Sequence, residues 1–174
     1  SSGGSSAALS ACMLPLVTAS DGGGSTRIPA SFVGAFGLKP TFGRIPNESK
    51  SLWSYGDTAA QGPLTKTVAD NALYLDVTSG YSPEDPSSLP HPGFSYRTKL
   101  ADGVPRKLRI AYSPDLGYAV VQSDIAQAVY DAAKLYERLG HELVEIKGGP
   151  PKMGQAWGMW GAFELAAANL QHLP

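Results

Sequence analysis

The sequence predicts an α/β protein with a mixed β-sheet flanked by helices. Short apolar runs of strand length alternate along the chain with segments whose apolar residues recur at helical spacing. Glycine and proline clusters separate the two kinds of segment. At 174 residues and 43% apolar content, the chain can bury one hydrophobic core and is short for two, so residues 1–174 read as a single domain.

Residues 5–13 are all small or apolar and follow a Ser-Gly cluster, which predicts a short, closely packed helix that starts at a Gly-rich turn. Residues 14–18 form an apolar, partly β-branched run between Pro15 and the glycines after Asp21, and read as a buried strand. Residues 26–33, with Pro29 near the first turn, predict a short helix. Residues 35–38, stopped by Pro40, predict a second buried strand beside the first.

Residues 41–65 carry Gly43, Pro46, Asn47, Gly56, Gly62 and Pro63 and read as surface loop. From Thr67, the positions Val68, Ala72, Leu73 and Leu75 mark a helix that ends near Gly80. Pro83, Pro86, Pro90, Pro92 and Pro105 make residues 81–107 an extended excursion. Residues 108–112 read as a strand. Residues 124–139 read as a helix with the apolar face Ile125, Val129, Ala132, Ala133 and Tyr136, an N-cap at Ser123 and a stop at Gly140. A strand over 142–147 and a helix over 156–170 complete the order. Trp157, Trp160 and Phe163 share one face of that helix, which suits packing first and substrate contact second.

The formal charge of −1 comes from 14 basic and 15 acidic residues. Well mixed along the chain, they form no footprint for nucleic acid or anionic lipid, and a small-molecule partner fits better. Homo-oligomerisation stays open. The single cysteine, Cys12, excludes an internal disulfide and a multi-cysteine metal site; it reads as a packed thiol and suits a reducing, cytoplasmic compartment. His91, His141 and His172 are scattered and read as surface residues, so neither metal nor cofactor is expected. Residues 1–11 lack the basic and apolar regions of a signal peptide, and no apolar run approaches the roughly 20 residues that span a bilayer. The chain opens inside a Ser/Gly cluster and stops at Pro174 directly after a helical pattern, so both ends read as cut.

The chemistry concentrates in Asp21-Gly22-Gly23-Gly24-Ser25. Consecutive glycines cost backbone entropy and suit a place where the chain takes unusual dihedrals or lets a group approach its amides. Converging backbone N–H groups can hold a phosphate or the oxyanion formed when a hydroxyl attacks a carbonyl. The loop alone also fits a flexible turn whose serine caps the next helix.

The wider pattern separates these readings. Ser1-Ser2-Gly3-Gly4-Ser5, a spacer of small residues, the run from Asp21 through Ser25-Thr26-Arg27-Ile28-Pro29-Ala30-Ser31-Phe32, and Gly37-Leu38-Lys39-Pro40-Thr41 together resemble the signature region of the amidase-signature family. Gly62-Pro63-Leu64-Thr65-Lys66-Thr67-Val68-Ala69-Asp70 is similar too. The resemblance implies an amidase-signature-like core, truncated at both ends, and a serine amidohydrolase that passes through an acyl-enzyme. It assigns the nucleophile to Ser25 and the serine that follows a cis peptide bond to Ser1. It also implies an oxyanion pocket over Gly22, Gly23 and Gly24, with Asp21 and Arg27 bracing the loop.

A serine hydroxyl is a weak nucleophile and must give its proton to a base. In the family a desolvated lysine takes it, because burial lowers an amine's pKa. That lysine lies upstream of both serines, ahead of Ser1, so the chain alone is expected to be inactive. Lys39 belongs to the Gly-Leu-Lys-Pro-Thr segment and reads as structural. Thr26 and Val17 depart from the family pattern, which usually has an aliphatic and a small residue there. The alternatives are an amidase-type subunit of a tRNA-dependent amidotransferase, against which Ile28 stands in place of the usual glutamine, and a non-catalytic remnant. Leu52, Trp53 and Tyr55 hint at an acyl group of low polarity.

Overall fold

The computed structural model describes residues 1–47, 58–103 and 106–170. Leu52, Trp53, Tyr55 and His172 therefore lie outside the described residues. The chain gathers into two compact units, one of Ser1–Asp102 with the chain from Trp157 onward, the other of Gly103–Ala156. Its helices and sheets, antiparallel in one unit and parallel in the other, agree with the α/β class.

In the first unit, α1 (Gly3–Ser10) precedes β1 (Leu16–Asp21), α2 (Arg27–Val33), the two-residue β2 (Phe36–Gly37), β3 (Ala60–Thr65), α3 (Val68–Thr78) and α4 (Tyr96–Ala101). The first strand starts later and runs further than the sequence predicts, because the chain around Pro15 stays outside the ladder and the alternation continues to Asp21. The sheet is antiparallel in the order β1-β3-β2. The two strands expected to be neighbours are thus separated by β3, which falls where the sequence reads as surface loop. Within β3, Gly62, Pro63, Leu64 and Thr65 are all buried.

The geometry shows how a central strand accommodates Pro63. It faces Thr18 across β1, and its carbonyl accepts the Leu38 N–H on the opposite side at 3.2 Å. In an antiparallel ladder the N and O of one residue point to the same neighbour. The missing N–H of Pro63 is therefore directed at the β2 side and costs the β1 ladder nothing. On the β2 side the paired stretch reaches only from Phe36 to Gly37. A core of Leu9, Val17, Ala19, Ala30 and Leu64 forms where α1 and α2 meet this sheet.

The outer edge of β1 is met by side chains. Ser2 Oγ accepts the Ser20 N–H at 3.1 Å and donates to the Ser20 carbonyl at 3.2 Å, and Ser5 Oγ donates to the Thr18 carbonyl at 3.0 Å. Cys12, at the end of this segment, is free and exposed rather than packed. Its φ of 58° turns the chain out of α1 into the approach to β1.

The helix α3 begins at Thr67, whose Oγ1 accepts the Asp70 N–H and donates to the Asp70 carboxylate, two contacts that satisfy the first turn. Residues 81–107 are not wholly extended, since α4 interrupts them. Asp76 of α3 accepts Ser95 Oγ at 2.7 Å, the Tyr96 N–H at 2.6 Å and the Arg97 N–H at 3.3 Å. The Ser95 bond is the largest cause holding its carboxyl below the ordinary carboxylate value. Those bonds supply partners for the opening donors of α4, which a short helix cannot supply itself.

In the second unit, β4 (Arg109–Tyr112) and β5 (Glu142–Glu145) pair in parallel through α5 (Ser123–Arg138). The N-cap is Gln122, with Ser123 already helical. Gly140, at φ 88°, ends the helix as the sequence predicts, its N–H bonded to Glu137 and that of His141 to Tyr136. The apolar face does not become core: Ile125, Val129 and Tyr136 are all about half exposed. A two-stranded sheet is roughly 10 Å wide, about one helix diameter, and cannot enclose a helix on its flanks. The last described helix is α6 (Gly154–Ala168).

Candidate active site

Alternation along β1 turns Val17, Ala19 and Asp21 inward together. A carboxylate at that position is costly unless every lone pair finds a donor. Asp21, fully buried, finds five. It accepts the Gly24 N–H at 2.6 Å, the Thr26 and Arg27 N–H groups at 3.3 Å each, and Arg27 Nε and a terminal guanidinium nitrogen at 2.9 Å each. The chain has to fold back on the strand end to bring these donors together, and the glycines permit it. Gly24 is held at φ 111°, where a side chain is strained, and a Cβ there would stand 2.6 Å from the Ile28 side chain.

The electrostatics follow from the same contacts. Burial by itself pushes the Asp21 carboxyl up. The Arg27 guanidinium, the Gly24 and Arg27 N–H bonds and the Arg27 charge together outweigh it and hold the carboxyl at about 2, below its ordinary 3.8. The same bond raises the Arg27 guanidinium above its ordinary value. Asp21 also serves as the N-cap acceptor for α2. Thr26 makes no side-chain cap bond, and its hydroxyl is buried with no partner among the described residues. The first N–H groups of the helix are satisfied from the end of β1 instead.

Ser25 stands half-buried at the turn into α2, and its carbonyl accepts the Ser2 N–H at 3.0 Å. That bond brings the Ser1-Ser2 segment alongside Ser25, although 24 positions separate Ser1 from Ser25 in sequence. Of the three glycines, Gly24 has its N–H committed to Asp21, while Gly23 and Ser25 stand outside the set that Asp21 gathers. Lys39 Nζ donates to the Pro40 carbonyl at 3.1 Å, within its own segment. Trp157 reaches the loop from α6, with Nε1 donating to the Gly22 carbonyl at 2.8 Å. The aromatic spacing singles out Trp157, but not this contact.

A family model described as Amidase matches residues 1–173. The chain belongs to the amidase family. It is 41% identical over 162 residues to an acylamidase of Rhodococcus erythropolis, an overlap of 92% of this chain and 34% of that protein. It is also 39% identical over 147 residues to a glutamyl-tRNA(Gln) amidotransferase subunit of Trichlorobacter lovleyi, covering 84% of the chain and 30% of the relative. Among solved structures, a bacterial aryl acylamidase of the amidase-signature enzymes superposes with a TM-score of 0.85 at 31% identity, over 98% of this chain and 36% of that one. The glutamyl-tRNA(Gln) amidotransferase subunit of Thermotoga maritima gives 0.78 at 30% identity, over 100% and 38%. The chain spans about a third of the length of the curated relatives it matches.

No described helix is long and apolar enough to cross a membrane, and no group of three metal-binding side chains gathers among the described residues.

Proposed function

We propose that the protein is an amidase that hydrolyses a small carboxylic acid amide through an acyl-enzyme on Ser25. The observation that carries this reading is the loop itself: Asp21 takes up the Gly24, Thr26 and Arg27 N–H groups and leaves those of Gly23 and Ser25, in the same turn as the Ser25 hydroxyl, outside the set it gathers. A loop held from Gly24 onward by one buried carboxylate has that end fixed before substrate arrives, as electrostatic stabilisation of a developing charge requires.

In the reaction, Ser25 Oγ bonds to the amide carbon and its proton passes to Ser1. From there it goes to the base, which on the family pattern is an upstream lysine. The carbonyl oxygen, now negative, is received by the Gly23 and Ser25 N–H groups; one such donor is worth about 3 kcal/mol of barrier. Collapse breaks the carbon–nitrogen bond, and the amine leaves with the relayed proton. Water then attacks the acyl-Ser25 ester, giving the acid and restoring the hydroxyl. Gly22 and Gly24 shape the pocket, and Asp21 and Arg27 hold it. Cys12, free and exposed, fits a reducing compartment, which we take to be the cytoplasm.

The near-equal similarity to amidotransferase subunits favours a second reading, in which the released ammonia passes to a partner protein. Steady-state hydrolysis of aryl amides and of glutamine by the intact protein separates the two. In either case Ser25→Ala should lower turnover by at least about a thousandfold and abolish labelling by a serine-directed phosphonate, with the fold retained. Equal labelling of the wild type and Ser25→Ala would place the nucleophile elsewhere.

A further inference from the structure

We propose that Trp157 is a positioning residue for the oxyanion pocket, setting which way the Gly22–Gly23 peptide faces; the proposal rests on the amidase reading of Ser25. Two contacts carry it. The indole Nε1–H donates to the Gly22 carbonyl at 2.8 Å, across 135 positions of sequence. The six-membered ring also lies so close to Gly23 that a Cβ on that residue would overlap it. The indole therefore occupies one side of the peptide and holds its carbonyl there.

The carbonyl of Gly22 and the N–H of Gly23 belong to one planar trans unit and point in opposite directions. Fixing the carbonyl on the indole side thus directs the Gly23 N–H to the other side, away from Trp157. Between two glycines this plane can otherwise rotate with little steric resistance. A flip would present a carbonyl where the pocket needs a donor and would repel the developing oxyanion. Asp21 cannot prevent this, because its bonds begin at Gly24. The loop is thus held at two points, by a carboxylate after the Gly22–Gly23 peptide and by an indole on it.

Trp157→Phe keeps a ring over Gly23 and removes only the donor. A hydrogen bond at this partly exposed position shifts a two-state equilibrium by about tenfold at most. In the intact protein, kcat for an aryl amide and the rate of Ser25 phosphonylation should both fall, by about twofold to about tenfold, with KM within about twofold, since the pocket acts on the transition state. Unchanged kcat and labelling in Trp157→Phe would overturn the proposal.

A second measurement does not depend on turnover. The Trp157 indole N–H resonance, assigned by its loss in Trp157→Phe, should exchange with solvent more slowly than that of a free indole. Exchange as fast as free indole would overturn the clamp itself. Turnover insensitive to Ser25→Ala would instead remove the amidase reading and the catalytic consequence with it. Slow exchange with a loss of kcat in that range supports both.

Discussion

Replacing Asp21 by asparagine tests the brace beneath the candidate site. The wild-type carboxyl is lowered from 3.8 to about 2, and at about 1.4 kcal/mol per pKa unit this corresponds to about 2 kcal/mol of stability from the ionised form. The folded value is the depressed one, so this contribution is complete above the unfolded value near 4 and is lost as the pH falls through about 2. Asparagine keeps one oxygen and turns an NH₂ toward donors, leaving the Arg27 guanidinium and at least one N–H without their acceptor. The Arg27 side chain is more than half exposed and water can take over part of its bonding, so the loss falls mainly on the buried Asp21 end and should come to the same figure, about 2 kcal/mol. Urea unfolding of wild type and Asp21→Asn should show that gap at pH 7 and a shrinking one between about pH 4 and pH 2. A gap that stayed constant over that range, or an Asp21→Asn protein as stable as wild type at pH 7, would refute the argument that the carboxylate organises the loop.

Two further substitutions probe the packing around it. Thr26→Val removes a buried hydroxyl that has no partner among the described residues and makes no cap bond, so it should raise stability by about 1 kcal/mol in thermal unfolding; a loss would show that the hydroxyl is bonded. Leu64→Ala empties a fully buried position among Leu9, Val17, Ala19 and Ala30 and should cost about 3 kcal/mol in urea unfolding.

What the sequence made legible was local. The Asp21 to Ser25 loop, the turn into α2, the start of α3 and the Gly140 stop each depend on residues a few positions apart, and those patterns carry their own chemistry. The position of β3 was not legible, because Gly62 and Pro63 signal a break. Only the pairing with Thr18 on one side and the short reach of β2 on the other make them tolerable in a central strand. The helix α4 is opened by a carboxylate from α3, and the Trp157 contact with Gly22 spans 135 residues; neither leaves a mark in its own neighbourhood. The apolar stripe of α5 is real as a pattern. Whether it becomes core depends on what lies against it, which no period in the sequence states.

The serine hydroxyls along the outer edge of β1 protect the strand from its own chemistry. An uncovered strand edge offers alternating donors and acceptors to any extended peptide, and is a common route to intermolecular pairing. Here Ser2 meets both backbone groups of Ser20, and Ser5 meets the carbonyl of Thr18. These small side chains take the place of a neighbouring strand without presenting a new ladder of their own. The strand that ends in Asp21 is therefore partly capped sideways as well as lengthwise, with three of its outward backbone groups already taken and not offered to a second copy of the chain.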